Sequence, residues 1–485
     1  MKKIFGILFC STIILTGCSK DYLDTDLKST INQDQIDSSP TALQGLVNGV
    51  YTSLHTYGLA ESSTHEAWGH KAVLSAMDMM SNDMLNNRGS WFNNFYNYTA
   101  RIQTSIRTDM IWNTYYQQIK AVNYVIASIE KTGVSPQNKM IYGQALALRG
   151  YMHFMLARVF GPTYVGHLAD DSIPLYTEVT LVGKPRSSVD VVYKQIVKDL
   201  TDSLGYLSGY TRENKEKVDT RVAQAFLAEV YLEMGNYASA ATMAKNARTG
   251  VVQPTEEQWL DGFYDLQSSP DAIWGGIISE ATTSFVASFF AHFDNTDPGG
   301  YAVAFNKLID RRLYDAMPAT DYRKKAFQSA NNAAPYDGVS GVGLPKYAGL
   351  KFIDKSIGQG GDYIYMRASE MYYIEAEALA RTGDEAGAKN VLNEISLKRN
   401  SAYTVTASGP ALINEIILQK RIELWGEGCA WTDMKRLGVG LLRDYPGTNH
   451  NLAAGRINIP AGDLRFTFQI PQTEILANPN IKQNP

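Results

Sequence analysis

Residues 364–395, IYMRASEMYYIEAEALARTGDEAGAKNVLNEI, decide the fold. Tyr372, Ala376, Leu379 and Ala380 recur at i, i+4, i+7 and i+8, which is one apolar stripe on a helix. Glu370, Glu377 and Arg381 take another face, and Glu377 precedes Arg381 in the favourable i,i+4 order. Gly383 can close that helix in the left-handed region, and Asp384 can cap a second one. The second helix carries Ala388, Val391, Leu392 and Ile395 as its stripe. Neither helix can bury its stripe alone, so the hairpin demands neighbours.

An earlier segment repeats the pattern. Ala228, Tyr231 and Gly235 match Ala376, Leu379 and Gly383 at a constant offset, and Ala240, Met243, Ala244 and Ala247 match the second stripe at the same offset. A small residue, a large one, a turn glycine and then small residues again is the logic of tetratricopeptide (TPR) hairpins, in which alanines let helices approach closely. Further helices are predicted from residue 41, where Ala42, Leu46, Val50 and Leu54 recur, and over 112–131, 141–160 and 189–207. Gly161-Pro162 stops the third of these. The fold class is all-α, a TPR-like helical-repeat scaffold.

The N-terminus is a targeting segment. Lys2 and Lys3 precede an apolar run over 4–15 that is too short to span a bilayer, and Leu15-Thr16-Gly17-Cys18 matches the lipobox of bacterial lipoproteins. The expected organisation is a signal peptide over 1–17, lipidation at Cys18, a polar tether over 18–40, and a single domain over 41–485. Acyl chains contribute about 0.8 kcal/mol per buried CH₂, and two or more anchor stably. The mature chain then hangs from a membrane outside the cytoplasm. Cys10 leaves with the signal, so Cys429 is the one remaining thiol and no intrachain disulfide forms.

A net charge of −4 and a pI near 6.0 give no electrostatic footprint for nucleic acid. Two segments lack helical period, around 81–105 and 284–362; loops this long are functional or disordered, and their aromatic content argues for order. Enzyme signatures fail on spacing. His65 and His70 are five apart, about 140° around a helix, where a zinc pair needs i,i+4. Asp170-Asp171 are adjacent and point apart, the glycines of 338–343 precede no GK[ST], and 294–300 lacks the glutamate of a calcium loop. No catalytic, metal or cofactor site is expected.

The C-terminal third resembles a known family. Lys346-Tyr347, Asp362-Tyr363 leading into MRASEMYYIEAEALARTGD, KRIELWGEGCAWTDMKRLG (420–438) and the closing IPQTEILANPNIKQNP look like the SusD/RagB family of surface lipoproteins. The likeness extends to the lipobox, Tyr22-Leu23-Asp24, Ala42-Leu43-Gln44-Gly45 and ALALRGYMHFMLARVFG, nearly the whole mature length. Cys429-Ala430 departs from the His or Arg expected after Glu427-Gly428. The resemblance implies about four TPR-like helix pairs under a loop-rich, non-catalytic face. It also implies a SusC-like TonB-dependent outer-membrane transporter as partner, with an oligosaccharide or, as in RagB-like members, a peptide as cargo.

The loops suit sugar. Flat aromatic rings cover the C–H faces of pyranoses, and amides and guanidiniums serve the hydroxyls. The candidate ligand residues are Trp91, Phe92, Asn93, Asn94, Phe95, Tyr96 and Arg88, with Trp68, Phe293 and Tyr301 beside them. Trp91 leads because Gly89-Ser90 leaves room for a ligand. Covering about 80 Å² on each of two or three rings gives roughly 4–6 kcal/mol before ordering costs, which points to micromolar-to-millimolar affinity. Two other readings stand beside this one: a lipid-anchored TPR scaffold without small ligand, and a glycoside hydrolase with dispersed carboxylates.

Overall fold

A computed structural model describes residues 33–279, 281–333, 343–356, 360–455 and 457–484. The signal peptide, Cys18, the tether up to residue 32 and most of the glycine stretch 338–343 lie outside the described residues. The helices run in order as α1 (Gln33–Asp37), α2 (Pro40–Ser53), α3 (His70–Met79), α4 (Asn93–Tyr96), α5 (Ile106–Thr132), α6 (Lys139–Phe160), α7 (Val189–Leu207), α8 (Thr220–Glu233) and α9 (Tyr237–Arg248). After three short helices, α10 (Glu256–Trp259), α11 (Phe289–Phe293) and α12 (Arg311–Ala316), come α13 (Ala368–Arg381), α14 (Glu385–Arg399) and α15 (Pro410–Glu423). From α5 the long helices pack in series, each on the next, and α9 passes the stack directly to α13, which carries α14 and α15. This is the TPR-like helical scaffold the sequence calls for.

The two repeat hairpins match bond for bond. Gly235 and Gly383 both turn with positive φ, 71° and 89°. Asn236 N donates to Tyr231 O at 2.9 Å and Asp384 N to Leu379 O at 3.0 Å, while the Asn236 and Asp384 side chains cap α9 and α14. Ala228, Ala240, Ala244, Ala247, Ala376, Ala388, Leu392 and Ile395 are all fully buried between helices. On α6, Gly143 and Gly150 lie seven residues apart on the face toward α7. A Cβ on them would stand 2.9 Å from Leu207 Cγ and 3.0 Å from Leu200 Cγ, so bare backbone sets that close crossing.

Folded structure begins earlier than the expected domain start at 41. α1 lies inside the expected tether, and the Asp37 carboxylate accepts hydrogen bonds from Tyr124 and Ser128 and pairs with Lys131 at 3.1 Å, all on α5. Residues 33–40 are thereby held on the body.

The aperiodic segments form an irregular layer over the helices. The strand Met84–Asn86 from one pairs antiparallel with Lys307–Ile309 from the other, and Ala272–Gly276 pairs with Tyr363–Arg367, which leads straight into α13. A buried ionic cluster rivets this layer to the scaffold. The Glu423 carboxylate, at the end of α15, meets Arg399 at 2.9 Å, Arg367 at 3.1 Å and Arg323 at 3.2 Å, and accepts from Trp259 Nε1 at 2.9 Å. Arg367 also holds Asp271 and Glu427, Lys351 pairs with Glu427, and Arg323 with Asp321, so four cations face four carboxylates. Burial alone would raise the Glu423 carboxyl; the three guanidiniums overcome that and hold it well below the usual carboxylate range. The KRIELWGEG motif is thus architectural. So is the tail: Asn484 Nδ2 donates to Phe160 O and Phe468 O at 2.7 Å each, and Asn478 Nδ2 to Lys184 O at 2.9 Å.

Candidate ligand-binding face

Where the two aperiodic segments meet, aromatic rings form two layers. The outer layer is half-exposed. The Trp91 indole stacks on the His65 imidazole with centroids 5.0 Å apart and planes at 20°. Tyr301 stands edge-on to Trp91 at 5.9 Å, and its hydroxyl shares a 2.8 Å hydrogen bond with His65 Nδ1. Tyr57 approaches His65 edge-on at 6.2 Å. The inner layer is buried: His292 stacks on Tyr301 at 5.1 Å and on Trp68 at 6.2 Å, and bonds His65 O through Nε2 at 3.0 Å. Burial drives the His292 imidazole well below its ordinary range, so this base is neutral.

The local backbone explains the layering. Ser90 and Phe92 both have positive φ, 108° and 66°, a region that non-glycine residues avoid. The paired reversals throw Trp91 outward and Phe92 inward. Compensation comes from below: the buried Glu66 carboxylate accepts from Phe92 N and from Thr64 Oγ1 and pairs with Arg107. Asn86 Nδ2 reaches Trp91 O at 3.4 Å, and Lys307 Nζ reaches Asn86 Oδ1 at 3.2 Å. Burial pulls the Lys307 ammonium down to about 7, with Glu66 pulling the other way.

The expected ligand residues therefore divide. Trp91 and Tyr301 are brought together at the outer layer, and Arg88 is exposed beside them on the same segment. Asn93 lies against Gly89, and its Oδ1 has no partner among the described residues. Five others are core, not ligand surface. Trp68, Phe92, Phe95 and Tyr96 are 0% exposed and Phe293 2%. That Trp91 alone faces outward while Phe92, Phe95 and Tyr96 face inward follows from the two reversals and the short helix α4, which no periodicity announces. Asn94 turns away toward Thr99 Oγ1 at 3.1 Å.

Sequence reasoning missed His65 and Tyr57 on the outer layer and Phe285, 55% exposed over the turn at Gly299. The His65–His70 spacing draws attention to a metal and not to a ring surface. The structure separates that pair: His70 is buried, bonded to Tyr115 Oη at 2.8 Å, and burial lowers its imidazole to about 3.

Two family models match this chain: SusD-like_3, described as starch-binding associating with outer membrane, over residues 21–232, and SusD_RagB, the SusD family, over 322–485. The SusD-like protein P2 of Formosa agariphila is 24% identical, over 100% of this chain and 99% of its own length. Among solved structures, a SusD-like carbohydrate binding protein from Bacteroides vulgatus superposes with a TM-score of 0.81 at 26% identity, covering 91% of this chain and 97% of its own. Surface glycan-binding protein A from Bacteroides thetaiotaomicron, solved with laminarihexaose, superposes with a TM-score of 0.69 at 18% identity, covering 92% and 99%. Two models of one family spanning more than half of the chain, relatives matched end to end and a shared fold agree: the chain belongs to the SusD/RagB family.

Proposed function

We propose that this protein is a non-catalytic, cell-surface glycan-binding lipoprotein whose binding face is built on Trp91, His65 and Tyr301. The observation that carries the reading is the Trp91–His65 stack held by the Tyr301 hydroxyl, a flat and fixed ring surface amid Arg88 and Asn93. A pyranose stacked on Trp91 loses apolar hydration without any ring having to reorient, and the exposed Arg88 guanidinium is at hand for its hydroxyls. The carbohydrate-binding and glycan-binding descriptions of two structural neighbours support the ligand class.

The lipobox ending at Cys18 supports an outer-membrane lipid anchor, in line with the description of the family matched over 21–232. The partner we assign is a SusC-like TonB-dependent transporter to which captured oligosaccharide passes. Retardation of the protein in gels carrying soluble polysaccharides tests the ligand, and co-purification of a transporter with the native lipoprotein tests the partner. Binding only to peptides, or cleavage of a retained glycan, would replace this reading.

A further inference from the structure

A second aromatic pocket lies on the outer side of α5. It encloses about 260 Å³ and is lined by Trp112, Tyr116 and Tyr176, with Asn113, Gln117 and Lys120 at its mouth. Its rings are pinned. Tyr116 Oη donates to Pro174 O at 2.8 Å, Tyr176 Oη accepts from Lys184 N at 3.0 Å, and Asn123 Nδ2 holds Tyr176 O at 2.9 Å. Tyr116 lies 4.5 Å from Trp112 and 5.8 Å, edge-on, from Tyr176. Among the described residues, the Asn113, Gln117 and Lys120 side chains have no hydrogen-bond or ionic partner, so their donors are free at the mouth of a rigid aromatic wall. Glu178 is paired with Lys184 at 2.7 Å, which leaves Lys120 and Glu474 as one charge of each sign in the lining and favours an uncharged ligand.

The pocket neighbours the loop that carries part of the ligand face. Gln117 also borders a small hollow under Leu59 and Ala60, in the loop that carries Tyr57 and His65. We propose that this pocket is a second carbohydrate subsite, taking a single uncharged pyranose unit of the polymer held at Trp91. The inference rests on the function proposed above. The volume falls below that of sites for larger ligands, which suits one ring, and two sites on one polymer raise retention through effective concentration.

The test uses the full chain in detergent, run through gels containing laminarin, amylopectin, xylan or pectin, with calorimetry on a hexasaccharide of whichever polymer retards it. Tyr176→Ala opens the wall, and Asn113→Arg, a surface change on α5, plugs the pocket should the first variant fail to fold. Both should lower polymer retention by about threefold or more while leaving hexasaccharide affinity within about twofold. Unchanged retention in the folded variants overturns the subsite and leaves the pocket, whose lining residues Thr180 and Glu474 stand close in sequence to Leu181 and Leu476 at 92% and 78% exposure, as a surface for a protein. An equal loss of hexasaccharide affinity overturns its being a separate site. Absence of retention of the wild type by every polymer overturns the proposed function and this inference together.

Discussion

The His65 imidazole lies face to face with the Trp91 indole, 5.0 Å between centroids and 20° between planes, and its Nδ1 is bonded to Tyr301 Oη. One histidine thus aligns two rings from segments more than 200 residues apart in sequence. His65→Ala should weaken glycan binding by about tenfold, because Trp91 gains rotamers that binding must then freeze. Melting should shift little, as the ring is half-exposed. A full loss of fold in this variant would show that the stack is structural.

Phe92, next in the chain to Trp91, should behave in the opposite way. It is fully buried against Phe95, Trp68 and Phe293. Phe92→Ala should cost about 3–5 kcal/mol in denaturant unfolding. A change below 1 kcal/mol would mean that the inner layer is not packed as described.

Much of this was legible in the sequence. The hairpin of residues 364–395 and its copy are governed by local rules, a stripe, a turn glycine and a cap, so the structure reproduces them at the same offset. The split between Trp91 and Phe92 was not legible. It depends on Glu66 and Arg107, which are distant from 91–92 in sequence and make sense only once the chain has folded. Nor could spacing reveal that Glu423, Arg367, Arg399 and Arg323, drawn from separate elements, converge on one point.

That convergence makes a prediction. Glu423→Gln leaves three buried guanidiniums short of a counter-charge and should cost about 3–5 kcal/mol, far more than loss of a surface pair such as Lys198–Asp202. Chemical denaturation of the two variants side by side measures the contrast. Equal, small effects would contradict the hub.

Acid should undo the same cluster. Burial raises the Glu427 carboxyl, but Arg367 and Lys351 outweigh it and hold the group at about 2, below the ordinary 4.5. A carboxyl depressed on folding contributes its full stability above its unfolded value, and that contribution fades as pH falls from about 4.5 through about 2. Glu427→Gln should therefore be less stable at neutral pH by about 3 kcal/mol and should show a shallower loss of stability between pH 5 and 2. Parallel pH curves for the two proteins would rule out this source of acid sensitivity.

The central claim is that glycan is held on the Trp91 face. Its most direct measurement is calorimetric titration of wild type and Trp91→Ala with a hexasaccharide from the polymer that retards the protein in gels. Losing a stacked ring should weaken binding at least tenfold, about 1.4 kcal/mol or more, with melting unchanged. Equal affinity in the two proteins, both folded, would place the glycan elsewhere and contradict the account.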